Sequence, residues 1–172
     1  MKKDWYTFYK DRVNSTYQDY FEERYDPFLK RIKSLLTDKK EIYELGCGIG
    51  SISKALSKDG ISFAGIDKDP YMVRLANTNT NSKNFYSENI LDTVLPYGTL
   101  KVTHGVLEHF EDAAIKYITK RCPNSIHYVP LDKYEKPSFG DERLLSVEYW
   151  LELVKPKAYE LFNEDYDLMF IL

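Results

Sequence analysis

The segment Glu41-Ile-Tyr-Glu-Leu-Gly-Cys-Gly-Ile-Gly50 constrains this chain more than any other. Residues 41–45 predict a short strand, and Gly46, Gly48 and Gly50 then demand a sharp turn into a helix over 51–58. Glycines belong in such a turn because the backbone must bend tightly and come close to a ligand without a Cβ in the way. The spacing is not the dinucleotide fingerprint G-x-G-x-x-G: the third glycine comes one residue early, and Ser51 holds its place. No Gly-Lys-Ser/Thr follows, so the turn is not a Walker-type phosphate loop either.

The rest of the chain keeps the strand–helix alternation. Strands are expected over 61–66, 84–87, 99–103 and 125–129, with helices over 71–77, 110–121 and 146–154. Asp69-Pro70 and Ser146 supply helix starts, while Asp59-Gly60 and Lys155-Pro156 supply stops. The final stretches 158–162 and 167–172, joined by Asn163-Glu164-Asp165, read as an antiparallel hairpin. The expected architecture is α/β, a mostly parallel sheet covered on both faces with one antiparallel strand. One domain over 1–172 is expected: a helical lid over 1–40 and a ligand-binding core over 41–172.

Asp67 closes the second strand about twenty residues beyond the glycine turn, where a carboxylate can accept both hydroxyl hydrogens of a ribose. Together the two features predict a ligand with a ribose and no pyrophosphate. The plain structural alternative is a glycine-rich strand–helix turn followed by a helix-capping Asp.

Four blocks, ELGCGIG, GIDKDP, NFYSENILDT and VTHGVLEHF, in that order resemble the class I S-adenosylmethionine-dependent methyltransferases, from about residue 41 to the C-terminus. The resemblance implies a Rossmann-like class I methyltransferase fold with a seven-stranded sheet. It implies S-adenosyl-L-methionine as cofactor and S-adenosyl-L-homocysteine as product. By the same resemblance, Glu44 helps organise the methionine end, and Gly46, Cys47, Gly48 and Gly50 bring backbone against the cofactor. Asp67 holds the ribose, with Lys68 beside the adenine. Asn89 stands at the position that accepts the adenine amino group, Glu88 being the alternative one residue earlier, and Ile90 offers its N–H to the ring. Thr103 and His104, at the end of the fourth strand, complete this set.

Methyl transfer from a sulfonium is a displacement, so the acceptor atom must approach in line behind the methyl group. A base is needed only when the acceptor must first lose a proton. His109, in a segment similar to the family's LEH element, and His104 are the candidates, histidine being suited to proton transfer near neutral pH. Each has a second reading: His109 as a helix cap or a contact to the cofactor carboxylate, His104 as a cofactor contact. His127, inside a strand, reads as a core histidine.

Composition narrows the acceptor. The chain has 172 residues and a net charge of -3, with no basic excess for a nucleic acid backbone. Strand four lacks the Asn/Asp-Pro-Pro-Tyr/Phe ending of amino-methylating nucleic acid enzymes, and Cys122 carries no sign of activation. The basic residues Lys30, Arg31, Lys33, Lys39 and Lys40 read as solvated surface. No run approaches the ~18 apolar residues of a membrane span, and the opening Met-Lys-Lys-Asp-Trp-Tyr is no signal peptide. Two cysteines without a disulfide pattern suit a reducing, cytoplasmic setting. No metal-ligand spacing is evident.

Aromatics make up 15% of the chain, and nine of them fall in residues 1–28. Trp5, Phe8, Tyr9 and Val13 form one helical stripe, and Tyr17, Tyr20, Phe21, Tyr25 and Phe28 another. These stripes are either packed core or a lid with a binding face. In the lid reading, Tyr9 and Arg12 close over the site. Tyr134, Asp141, Glu142 and Arg143, in the long loop over 131–145, are the other acceptor-pocket candidates; the alternative is a loop ordered by an Asp/Glu–Arg ion pair. The expected partner is a small-molecule acceptor. The rivals are a dinucleotide-dependent oxidoreductase, a non-catalytic binding relative and a protein methyltransferase.

Overall fold

The alternation of strand-forming and capped helical segments yields seven strands and seven helices in the computed structural model, which describes residues 4–36, 41–138 and 140–172. The strands are β1 (Glu41–Leu45), β2 (Ser62–Asp67), β3 (Phe85–Ser87), β4 (Leu100–His104), β5 (Ser125–Pro130), β6 (Ala158–Phe162) and β7 (Asp167–Ile171). The helices are α1 (Trp5–Tyr9), α2 (Ser15–Arg24), α3 (Asp26–Leu35), α4 (Ser51–Ser57), α5 (Pro70–Thr80), α6 (Asp112–Arg121) and α7 (Val147–Val154). The sheet order is β3-β2-β1-β4-β5-β7-β6, with β7 antiparallel to both of its neighbours. Lys39, Lys40, Phe139 and the opening Met1-Lys2-Lys3 lie outside the described residues.

The chain divides into two compact units, Met1–Leu100 and Lys101–Leu172. In the first, β1 and β3 flank β2 in parallel, with Leu45 opposite Ile66 and Gly65 opposite Phe85. Ile42, Leu45, Leu56, Ile66, Met72 and Phe85 are buried here, and α3 adds Phe28, Leu29 and Ile32 from one face. Apolar burial of this kind contributes roughly 1.5–3 kcal/mol per large side chain. The first aromatic stripe is shorter than its spacing suggests. α1 stops at Tyr9, and Val13 lies outside it, because Asn14 takes an extended conformation to cap α2, its Oδ1 accepting the Tyr17 N–H at 2.8 Å.

In the second unit, β4 and β5 run parallel and every residue of β5 is buried. Trp150 of α7 and Phe170 of β7 pack together, with Ile115, Ile118 and Ile126 also buried in this unit. His127 is a core residue, as its place in a strand implied. Its Nδ1 pairs with Thr103 Oγ1 and its Nε2 with Ser125 Oγ, both at 2.8 Å, and burial pushes its pKa down to about 3. The β6–β7 turn places Asn163, Glu164 and Asp165 in succession at left-handed φ. Among the described residues, no helix is long and apolar enough to cross a membrane.

Candidate functional site

The glycine turn delivers the predicted cofactor residues to the C-terminal ends of β1 and β2. Both Gly46 and Cys47 donate their N–H to Ile66 O at 2.9 Å, which holds the turn against the end of β2. Gly48 then donates its N–H to Asp67 Oδ2 at 3.0 Å, and Asp69 donates to Asp67 Oδ1 at 2.9 Å. These two donors fix the carboxylate and leave further lone pairs on each oxygen, enough for the two hydroxyls of a ribose. Burial raises the Asp67 pKa, and the Asp69 and Gly48 N–H groups oppose that rise.

The glycines of the turn do different jobs. Gly48 has φ +53 and nothing within 4 Å of where a Cβ would stand, so its bare side is open to a ligand. Gly50 has φ +70, and a Cβ there would meet Phe85, Ala76 and Thr80 at 3.2–3.3 Å. Gly50 therefore serves the packing of α4 against α5 and β3 as well as the turn. Cys47 is buried beside Ala76 and Phe85, and burial raises its thiol pKa well above the usual value.

Glu44 is 4% exposed. Its Oε1 accepts both the backbone N–H of Ser53, at 2.8 Å, and the Ser53 hydroxyl. It thus caps the first turn of α4 from below, and burial pushes its pKa up to about 7. Ser53 carried no signal in the sequence beyond lying within that turn. Lys68 is exposed directly after β2.

After β3, Asn89 and Glu88 share one tight turn. Asn89 Oδ1 accepts the Leu91 N–H at 3.0 Å, and its carbonyl accepts from Asp92 and Thr93. Glu88 accepts from the Thr93 hydroxyl. Ile90 between them is buried. In the N-terminal helices, Arg12 donates to Phe8 O and lies 3.9 Å over the Phe8 ring, and Tyr9 packs edge-on against Phe8 and Tyr17. Tyr9 and Arg12 are therefore neighbours in one aromatic cluster, whose burial raises the Tyr9 phenol pKa.

In the 101–172 unit, β4 leads into a 3-10 turn over Leu107–His109. His104 is half-buried and stacked on Tyr128, ring centroids 4.3 Å apart. Thr103 points the other way, as strand alternation requires, and spends its hydroxyl on His127. His109 does not cap α6; its Nδ1 lies 2.8 Å from Asp141 Oδ1. Glu108 beside it is 1% exposed, and burial raises its carboxyl well above the usual range.

The other loop candidates are held by internal partners. Arg143 donates to Phe110 O at 2.6 Å and to Asp112 Oδ1 at 2.8 Å, while the Tyr149 hydroxyl donates to Asp112 Oδ2 at 2.6 Å. The loop is thus tied to the start of α6 by an Asp–Arg ion pair, Arg143 with Asp112, as the alternative reading of it expected. Glu142 accepts the N–H and hydroxyl of Ser138, both at 2.8 Å. The hydroxyls of Tyr134 and Tyr128 both donate to Asp167 Oδ1 at 3.0 Å. Nothing local in the sequence marks Asp112 or Asp167 as the anchors of these networks.

A family model described as a methyltransferase domain matches residues 42–126. An uncharacterized methyltransferase of Alkaliphilus oremlandii is 27% identical over 179 residues, covering 95% of this chain and 83% of its own. Among solved structures, the PH0226 protein of Pyrococcus horikoshii has a TM-score of 0.72 at 18% identity, over 92% of each chain. Magnesium protoporphyrin IX methyltransferase from Synechocystis, solved with bound SAM, has a TM-score of 0.59 at 16% identity, over 98% of this chain and 96% of that one. At such identities the likeness to the solved structures is one of fold.

Proposed function

Because the chain belongs to the class I S-adenosylmethionine-dependent methyltransferases, we propose that it transfers a methyl group to an O, N or C atom of a small-molecule acceptor by in-line displacement. The observation that carries the cofactor assignment is the Asp67 carboxylate, fixed by Gly48 and Asp69 with acceptor capacity to spare. Gly48, open on its bare side, fits a cofactor lying along the turn. Bound there, S-adenosylmethionine supplies an electrophilic methyl group. Asp67 holds the ribose hydroxyls, and the turn after β3 (Glu88, Asn89, Ile90) receives the adenine. Lys68 stands beside it.

The acceptor side rests on His109. A carboxylate on Nδ1 favours the tautomer with its proton there, leaving Nε2 as the basic atom. His109 takes the acceptor's proton when the acceptor carries one, and Asp141 orients the ring. The net charge of -3 and the porphyrin after which the Synechocystis neighbour is named support a small acceptor over nucleic acid.

Titration calorimetry with S-adenosylmethionine, S-adenosylhomocysteine and NADH tests the cofactor. Binding of the first two is expected, with Asp67→Ala weakening it more than about tenfold, or 1.4 kcal/mol; binding of NADH alone overturns the reading. Mass spectrometry across phenols, carboxylates and amines then tests the acceptor class. His109→Ala is expected to lower turnover much more than cofactor affinity, and equal losses would make it a binding residue.

A further inference from the structure

Gly46, Gly48 and Gly50 all sit at left-handed φ, and such a turn is pliable on its own, because glycine loses the most conformational freedom on ordering. A ligand that had to order the turn itself would bind more weakly for it. Residues 48–50 are pinned by two bonds from nearby in the chain, Gly48 N–H to Asp67 Oδ2 and Gly50 N–H to Cys47 O at 2.8 Å. A third pin comes from α5. Asn79, 30 residues beyond Ile49 and 9% exposed, donates its Nδ2–H to Ile49 O at 2.9 Å.

The peptide linking Ile49 to Gly50 is therefore held at both ends, its N–H by Cys47 O and its carbonyl by Asn79. The Asn79 bond is buried, so water does not compete for that carbonyl. Asn79 Oδ1 accepts in turn from Lys54 Nζ, on α4, at 2.7 Å. Turning the amide over would set oxygen against oxygen at Ile49 and donor against donor at Lys54, so the two partners fix which atom is which. The side chain thus has two separable jobs. Its oxygen straps α4 to α5, and its nitrogen holds the glycine turn; a strap between helices needs only the first.

Resting on the methyl-donor reading above, we propose that Asn79 is a positioning residue for cofactor binding, acting through the Ile49 carbonyl to keep the glycine turn in its binding shape before the cofactor arrives. Its amide is committed to Ile49 and Lys54, so it works through the turn and not by contact. Gly48, next to Ile49 and open on its bare side, is the residue whose backbone it steadies. Ordering the turn in advance lowers the entropic cost of binding without adding a contact to the ligand.

The test separates the two bonds on the whole chain. In Asn79→Asp the carboxylate keeps Lys54 as a partner and loses the donor to Ile49 O; in Lys54→Met that donor stays and the strap goes. Titration calorimetry at about pH 8, where an aspartate is ionised, is expected to find S-adenosylhomocysteine about five- to tenfold weaker in Asn79→Asp and within about twofold of wild type in Lys54→Met. Amide hydrogen exchange at Gly48 and Gly50 in the ligand-free protein is expected to speed up in Asn79→Asp and not in Lys54→Met. Asn79→Ala removes the donor without adding a charge and is expected to repeat the loss of affinity, so the test stands even if the carboxylate unsettles the fold. Full affinity in both Asn79 variants, or equal losses in Asn79→Asp and Lys54→Met, would overturn the proposal and leave Asn79 a strap between helices. A wild-type protein that binds no S-adenosylhomocysteine would sink the methyl-donor reading instead, and exchange at the glycine amides would still decide whether Asn79 orders the turn.

Discussion

The turn after β1 and the turn after β4 both leave the end of a parallel strand and lead to a helix, yet they are built from different parts. The first is made of backbone. Gly46, Cys47 and Gly48 donate main-chain N–H groups, the glycines adopt left-handed φ, and Asp67 is gripped by amides alone. The second is tied down by side chains: His109 to Asp141, Arg143 to Asp112, Tyr149 to Asp112. A backbone-built turn is sensitive to an added Cβ and indifferent to most side chains. The second depends more on its side-chain partners, which lie 31–37 residues apart in the chain, though it too turns at a left-handed glycine, Gly105.

The sharpest way to break that contrast is Gly50→Ala. Left-handed φ and three contacts at 3.2–3.3 Å combine, so a loss of about 3–4 kcal/mol is expected in chemical unfolding. Gly48→Ala, with open space around it, is expected to cost only about 1 kcal/mol in stability. A Gly50→Ala protein as stable as Gly48→Ala would show that the backbone turn tolerates a Cβ after all.

Glu44 offers the next largest effect, through pH. Burial pushes its carboxyl up to about 7 in the fold, from an ordinary 4.5. Below the lower value both states carry the proton, and Glu44 imposes no cost. As pH rises the unfolded chain ionises first, so stability falls through this window and levels off above about 7, by about 3 kcal/mol. Urea midpoints across this range are expected to flatten in Glu44→Gln, with a residual slope from Glu108, whose pKa is raised in the same sense. A slope identical to wild type would mean that the Ser53 donors hold Glu44 ionised throughout.

The smallest effect belongs to the side-chain turn. Arg143→Ala removes the bonds to Phe110 O and Asp112 on a partly exposed surface, and about 1 kcal/mol is expected from thermal unfolding. Larger losses would mean that the loop over 131–145 supports the core of its unit, and the contrast between the two turns would narrow.

Legibility followed the same division. The strands and helices were readable from periodicity and caps, and their ends moved by only a few residues; α5 runs to Thr80 where Asn77 was the expected end. The glycine turn and Asp67 were readable because about thirty contiguous residues carry their geometry. Thr103 was grouped with the cofactor residues by its place at the strand end, but β4 turns its hydroxyl to His127. Tyr134, Glu142 and Arg143 were grouped as pocket residues by their place in a long loop, and each side chain has an internal partner. Such pairings depend on which strand face turns inward and which distant residue folds back, and no local pattern encodes that.

By itself, the sequence determined the α/β alternation, the glycine turn and the acid that follows it, because spacing along a short segment dictates their backbone geometry. The tertiary structure alone decided what the polar side chains do. It made Glu44 an internal cap, set Asp141 on His109, and brought Asn79 to Ile49. Those roles arise from burial and from partners far away in the chain. Desolvation turns an ordinary side chain into a shifted acid only once the fold has closed around it.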